Sequence, residues 1–146
     1  MESAANIGRE TLPRLALFLE RYIRRIARDT VLNGGVAFDL TSYAFLPPED
    51  RWDFPKYPSK TLILPPETDL AAALSDFIRT NEPFLREPDR WLGTWIHPQT
   101  HEFYLDIATG CQDVEEAKKI AMQVSQRDGR QVVAIHNSKR KETIYL

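Results

Sequence analysis

The chain has a single cysteine, Cys111, in 146 residues, so no intramolecular disulfide can staple it and a secreted cystine scaffold is excluded. Glycine is scarce, six in all, and the one adjacent pair, Gly34-Gly35, has no lysine after it, which excludes a phosphate-cradling loop. Long apolar runs are missing too. No stretch approaches the length of a membrane span, and Met1–Ala5 lacks the basic and apolar regions of a signal peptide, so a soluble cytoplasmic protein with no membrane partner is expected. Neither charge sign dominates. Nineteen Lys and Arg against 21 Asp and Glu give a net charge of -2, which argues against a basic nucleic-acid coat and against an acidic duplex mimic. What is present, 42% hydrophobic and 27% charged residues, is the composition of one globular domain able to bury its own core.

The last third of the chain is the most legible. Leu92-Gly93-Thr94-Trp95-Ile96-His97 and Glu102-Phe103-Tyr104-Leu105-Asp106-Ile107 flank the polar turn Pro98–His101 and read as a hairpin. A helix is predicted from about Asp113 to Arg127: Asp113 and Glu116 have capping-box spacing, and Val114, Ala117, Ile120, Ala121 and Val124 share a face. Gly129 sits where a left-handed cap belongs. Val132–Ile135 and Thr143–Leu146 read as two further strands around Ser138–Lys141. The predicted order is ββαββ over residues 90–146, with Phe103, Leu105, Ile107, Ile120, Val124, Val133 and Ile135 in the core.

Upstream, Leu12, Leu15, Phe18, Leu19, Tyr22, Ile23 and Ile26 recur at helical spacing between Thr11 and Asp29, with Pro13 fitting the first turn. Asn33-Gly34-Gly35 ends that helix, and Val36–Leu40 is a candidate strand. Ser42–Pro66 carries Pro47, Pro48, Pro55, Pro58, Pro65 and Pro66, which deny backbone donors to inner strands, so an ordered loop or extended meander is expected, with Thr61–Leu64 as a strand. Leu70, Ala73, Leu74, Phe77 and Ile78 mark a second helix from Asp69 to Thr80 with Thr68 as its N-cap, and Asn81–Asp89 is read as a connector. The fold class is therefore α+β: one domain, 1–146, whose helical, proline- and aromatic-rich part (1–89) packs with the ββαββ part (90–146).

Five sets of residues are candidates for function. Arg14, Arg21, Arg25 and Arg28, with Arg9 and Arg24 nearby, form a basic stripe that suits phosphates; paired with Glu10 or Glu20 it is simply a solvated face. His97, His101 and His136 with Glu102, Asp106 and Cys111 contain metal-ligand types, but the two close histidines span a turn rather than one helix face. Cys111 before a helix start is a place where a thiol pKa can fall, although no Cys/His signature accompanies it. Asp39, Glu49, Asp50, Asp53, Lys56 and Lys60 lack the strand spacing of a carboxylate-and-lysine nuclease. Fifth, Tyr43, Phe45, Trp52, Phe54 and Tyr57 concentrate aromatic surface among prolines, a composition that suits a protein contact and equally suits a cover over the core.

Leu92-Gly93-Thr94-Trp95, Thr100, Tyr104–Ile107, Glu115-Glu116-Ala117 and Val133-Ala134-Ile135 together resemble a small C-terminal module of uncharacterised phage and mobile-element proteins of bacteria. That resemblance covers about 55 residues, Trp91–Leu146, and implies a bacterial or phage origin and a small α+β unit; it carries no catalytic residue. The sequence thus points to a non-enzymatic binding or adaptor protein without a cofactor, whose partner is another protein or a second copy of itself. A nucleic-acid-binding accessory protein using the arginine stripe is the alternative, and a small metal-dependent or Cys/His enzyme the third.

Overall fold

The computed structural model describes the backbone of residues 4–146 and side chains from Leu19 onward. The described residues form α1 (Ala4–Asn33), β1 (Gly35–Asp39), β2 (Ala44–Phe45), β3 (Trp52–Pro55), β4 (Leu62–Leu64), α2 (Leu70–Leu85), β5 (Trp91–Ile96), β6 (Phe103–Cys111), α3 (Val114–Asp128), β7 (Ala134–Asn137) and β8 (Glu142–Tyr145), with a 3-10 turn at Pro58–Lys60. The fold is α+β: three helices on one eight-stranded antiparallel sheet ordered β2-β1-β5-β6-β3-β7-β8, with β4 pairing the first half of β6.

Helix ends follow from local chemistry. The Asp113 carboxylate accepts from the Glu116 amide at 2.9 Å, and Gly129 takes φ 66° to turn the chain out of α3. At α2 the cap is Asp69 rather than Thr68, its side chain accepting from the Ala72 amide at 3.2 Å. That helix also runs past Thr80, through Pro83, into the predicted connector. Proline removes one amide donor there, but the added turn buries Leu85 completely and sets Phe84 edge-on against Tyr57, 5.2 Å between centroids. Gly34, φ 82°, stops α1, its amide donating to the Thr30 carbonyl. The apolar positions Leu12, Leu15 and Phe18 lie outside the residues with described side chains.

All three helices cover one face of the sheet. Phe38, Leu92 and Ile107 are register partners on that face and are fully buried beneath α1 and α2, with Ile26, Leu74, Leu85 and Leu105. Under α3 a second cluster holds Trp52, Phe54, Ala117, Ala121, Val124, Val132 and Ile135.

Two expectations need correcting. Strands β5, β6, β7 and β8 do follow in the order read from the sequence, yet they do not close into a four-stranded sheet of their own. Strand β3, from the proline-rich segment, lies between β6 and β7, with Trp52 opposite Cys111 on one side and Asn137 on the other. The prolines flank this inner strand instead of interrupting it: Trp52, Asp53 and Phe54 keep their amides, and Pro55 is its last residue. The predicted core is right at Phe103, Leu105, Ile107, Val124 and Ile135; Ile120 is half-buried, and Val133 is 36% exposed because its neighbour Val132 takes the inward place.

The sheet curls. Along the hydrogen-bonded order β5 and β8 are four steps apart, roughly 19 Å in a flat sheet. The Trp95 ring on β5 and the Tyr145 ring on β8 nevertheless lie 6.5 Å apart. The face without helices is therefore concave.

Candidate functional site

Strand alternation decides what the concave face presents. Because register partners share a face, four cross-strand rows follow from the pairing: Gly110–Asp53–His136–Thr143, Trp91–Ala108–Pro55, Ala37–Gly93–Asp106, and Gly35–Trp95–Tyr104–Ile63. The third row is nearly bare of side chains. It makes a floor of Ala37 and Gly93 between two indoles, Trp91 and Trp95, that stand on the same strand and the same face. A methyl group on Gly93 would meet the Ala108 methyl at 3.0 Å, so this position stays small. Over this floor lies a cavity of about 950 Å³, also lined by Arg51, Arg130 and Thr61, within the size range of small-molecule sites.

Asp106 closes one end of the floor. Thr61 donates from Oγ1 to Asp106 Oδ1 at 2.6 Å, and the Arg130 guanidinium, held to the Thr61 carbonyl at 2.7 Å, adds a favourable charge. No donor to Oδ2 is found among the described residues. Burial outweighs these partners and pushes the Asp106 pKa up to about 6. A carboxyl in that state changes charge close to neutrality, as binding and catalytic acids do.

The row beyond Trp91 is polar and pre-set. Arg51 donates from Nε to Asp53 at 2.6 Å and from Nη1 to Glu49 at 2.9 Å, which lays its guanidinium over the Trp91 ring, 4.3 Å from the centroid. Burial raises the Asp53 pKa against the pull of Arg51. Gly110 makes room for this pair, since a Cβ there would sit 2.5 Å from Asp53 Oδ1. The Trp91 indole is buried, and its Nε1–H has no acceptor among the described residues. His136 shares a hydrogen bond with Thr143 at 2.8 Å, and burial lowers its pKa. At the opposite rim, Trp95, His97, Tyr104 and Tyr145 form an aromatic cluster with centroids 5.1 to 6.5 Å apart.

Of the residues singled out from sequence, Asp53, Asp106 and His136 stand on the concave face, and Arg25, Phe45 and Phe54 also border the cavity. Trp52 and Phe54, each 3% exposed, are core under α3 and present no contact surface. Phe45 packs edge-on against Phe38 under Arg25, Tyr43 lies beside Tyr22, and Tyr57 packs on Phe84 while donating to Glu87 at 3.2 Å. Trp52 and Phe54 are thus core, and Tyr43, Phe45 and Tyr57 are half-buried and packed against it. On α1, Arg25 and Arg28 both reach Asp29 and Arg24 pairs with Glu20, while Arg21 is exposed; the Arg9, Glu10 and Arg14 side chains lie outside the described residues.

The histidines do not gather ligands: His97 Nδ1 accepts from the Gln99 and Thr100 amides, capping its own turn. Among the described residues no group of three His, Cys, Asp or Glu side chains is placed to hold a metal ion. The helix start does not activate Cys111, because burial and Glu116 push its thiol pKa up rather than down. Asp39, Asp50 and Asp53 serve separate bonds, to Thr41 and Ser42, to Asn137 and Arg140, and to Arg51. The floor itself was missed. Its signal was Trp91-x-Gly93-x-Trp95, a spacing that puts both indoles and the glycine on one face of any strand.

No family model matches the chain, and neither a curated protein nor a solved structure does. No helix among the described residues is long and apolar enough to cross a membrane.

Proposed function

We propose that this is a non-enzymatic binding protein that holds a small, flat ligand in the concave face of its sheet. The observation carrying this reading is the bare floor of Ala37 and Gly93 between Trp91 and Trp95 beneath a cavity of about 950 Å³. Aromatic walls bury a ligand's apolar surface at low entropic cost, and a few placed polar groups, here Asp106 and Arg130, fix its orientation. The binding class expected from the sequence is kept, while the surface becomes the concave face of the sheet, to which the Tyr43–Lys60 segment contributes Arg51, Asp53 and Pro55 rather than its buried Trp52.

The neutral fluorophore N-phenyl-1-naphthylamine tests the reading. It should brighten and quench tryptophan emission on binding the wild-type chain, and Ala37→Phe, which fills the floor from the neighbouring strand, should abolish both effects while leaving circular dichroism and Tm close to wild type. A folded Ala37→Phe chain that binds the fluorophore as well as wild type would overturn it.

A further inference from the structure

We infer that the ligand is a planar nitrogen heterocycle whose edge carries two neighbouring N–H donors, the edge of guanine being the simplest example, and that this edge is read by Asp106. The inference rests on the binding reading above and specifies its ligand.

The floor dictates the shape. From β1 across β5 to β6 the row Ala37–Gly93–Asp106 spans two strand spacings, roughly 10 Å, and along β5 the two indoles are four residues apart, roughly 13 Å. A bicyclic ring laid on the Gly93 backbone fills that rectangle. A saturated ring of the same size would stand too tall for flat contact with the Gly93 backbone between the two indoles. Strand geometry also stands the Asp106 side chain up from the sheet, so its carboxyl meets the rim of a ring lying flat one strand away.

Asp106 dictates the edge. Its Oδ1 already accepts from Thr61, and Oδ2 finds no donor among the described residues. Oδ2 therefore faces the groove as an open acceptor, and a paired N–H edge engages both oxygens at once, as carboxylates do for bidentate donors. The same carboxylate repels an acceptor at that edge, which separates guanine-type from adenine-type rings in the way buried polar groups discriminate. The Thr61 hydroxyl holds the Asp106 carboxyl in place, and Arg130, fixed to the Thr61 carbonyl, lends it a favourable charge.

Tryptophan quenching with guanosine, inosine and adenosine tests this on the full chain at pH 7.5. Guanosine offers two adjacent donors, inosine one, and adenosine an acceptor beside its amine. Guanosine should bind at least 10-fold tighter than inosine, with adenosine weakest, and Asp106→Asn, which keeps a bond to Thr61, should bring the three within a factor of about 2 of one another. N-phenyl-1-naphthylamine should bind wild type and Asp106→Asn alike. Equal affinity of wild type for guanosine and adenosine, or an Asp106→Asn chain that keeps the preference, overturns the inference while fluorophore binding leaves the underlying reading standing. Loss of fluorophore binding by wild type itself overturns both.

Discussion

The Ser125 hydroxyl on α3 accepts from the Val132 amide at 2.9 Å and donates to the Ala121 carbonyl at 2.7 Å, so one buried side chain ties the end of the helix to the start of the next strand. Gly129 turns the chain, the Arg130 amide returns to the Ser125 carbonyl, and Val132 is drawn to 1% exposure. Ser125→Ala leaves the Val132 amide buried without an acceptor. It should cost about 1–3 kcal/mol in urea unfolding at pH 7, and a loss below about 0.3 kcal/mol would show that the clamp is idle.

That clamp also sets which of two neighbouring valines is buried. Leu105 is fully buried at the centre of the sheet, so Leu105→Ala should lower stability by about 2–4 kcal/mol. Val133→Ala, one residue beyond the clamped amide and partly exposed, should stay within about 0.5 kcal/mol of wild type. Thermal and urea unfolding of the pair would check both, and a large loss at Val133 would mean that Val133 rather than Val132 takes the inward place.

Strand β3 makes the two halves of the chain interdependent. Trp52 packs against α3 while pairing with both β6 and β7, so Trp52→Ala should cost about 3–5 kcal/mol. For the same reason residues 90–146 expressed alone should lack a cooperative unfolding transition, because β6 and β7 have no direct pairing to fall back on. A sharp transition in that fragment, seen by circular dichroism, would contradict the interdependence.

Local signals were legible where one residue settles one backbone event. Asp113 with Glu116 and Gly129 marks both ends of α3, and the turn between Ile96 and Phe103 marks the hairpin. What escaped depends on partners far away in sequence. Val132-Val133 offers two apolar residues, and only the Ser125 bond decides which turns inward. Pro55 reads as a barrier to inner strands, yet it falls on the final residue of β3, where its neighbours supply the ladder. The candidate site is a set of absences, Gly93 and Ala37 between indoles, and such a floor becomes visible only after three strands are set side by side.

The Asp106 carboxyl gives the fold a measurable pH dependence. Burial, set against the Thr61 bond and the Arg130 charge, raises its pKa from the ordinary 3.8 to about 6, and Tyr104 and Glu102 on the same strand side add no compensating cation. A raised acid binds its proton more tightly in the folded chain than in the unfolded one. Its contribution is therefore fully present below the unfolded pKa and is lost as pH rises through about 6, on the order of 1–3 kcal/mol once water in the groove screens the charge. Asp128, held down to about 2 by Arg127 and by Ser59, acts in the opposite sense and only at more acid pH. Urea unfolding of wild type and Asp106→Asn at pH 4.5 and 7.5 separates the two groups: Asp106→Asn should lack most of the wild-type decline between those pH values and be the more stable chain at 7.5. A wild-type chain that gains stability over this interval relative to Asp106→Asn would mean that the carboxyl is ionised and well paired in the fold, and the groove floor would then need a cation that Arg130 alone does not supply.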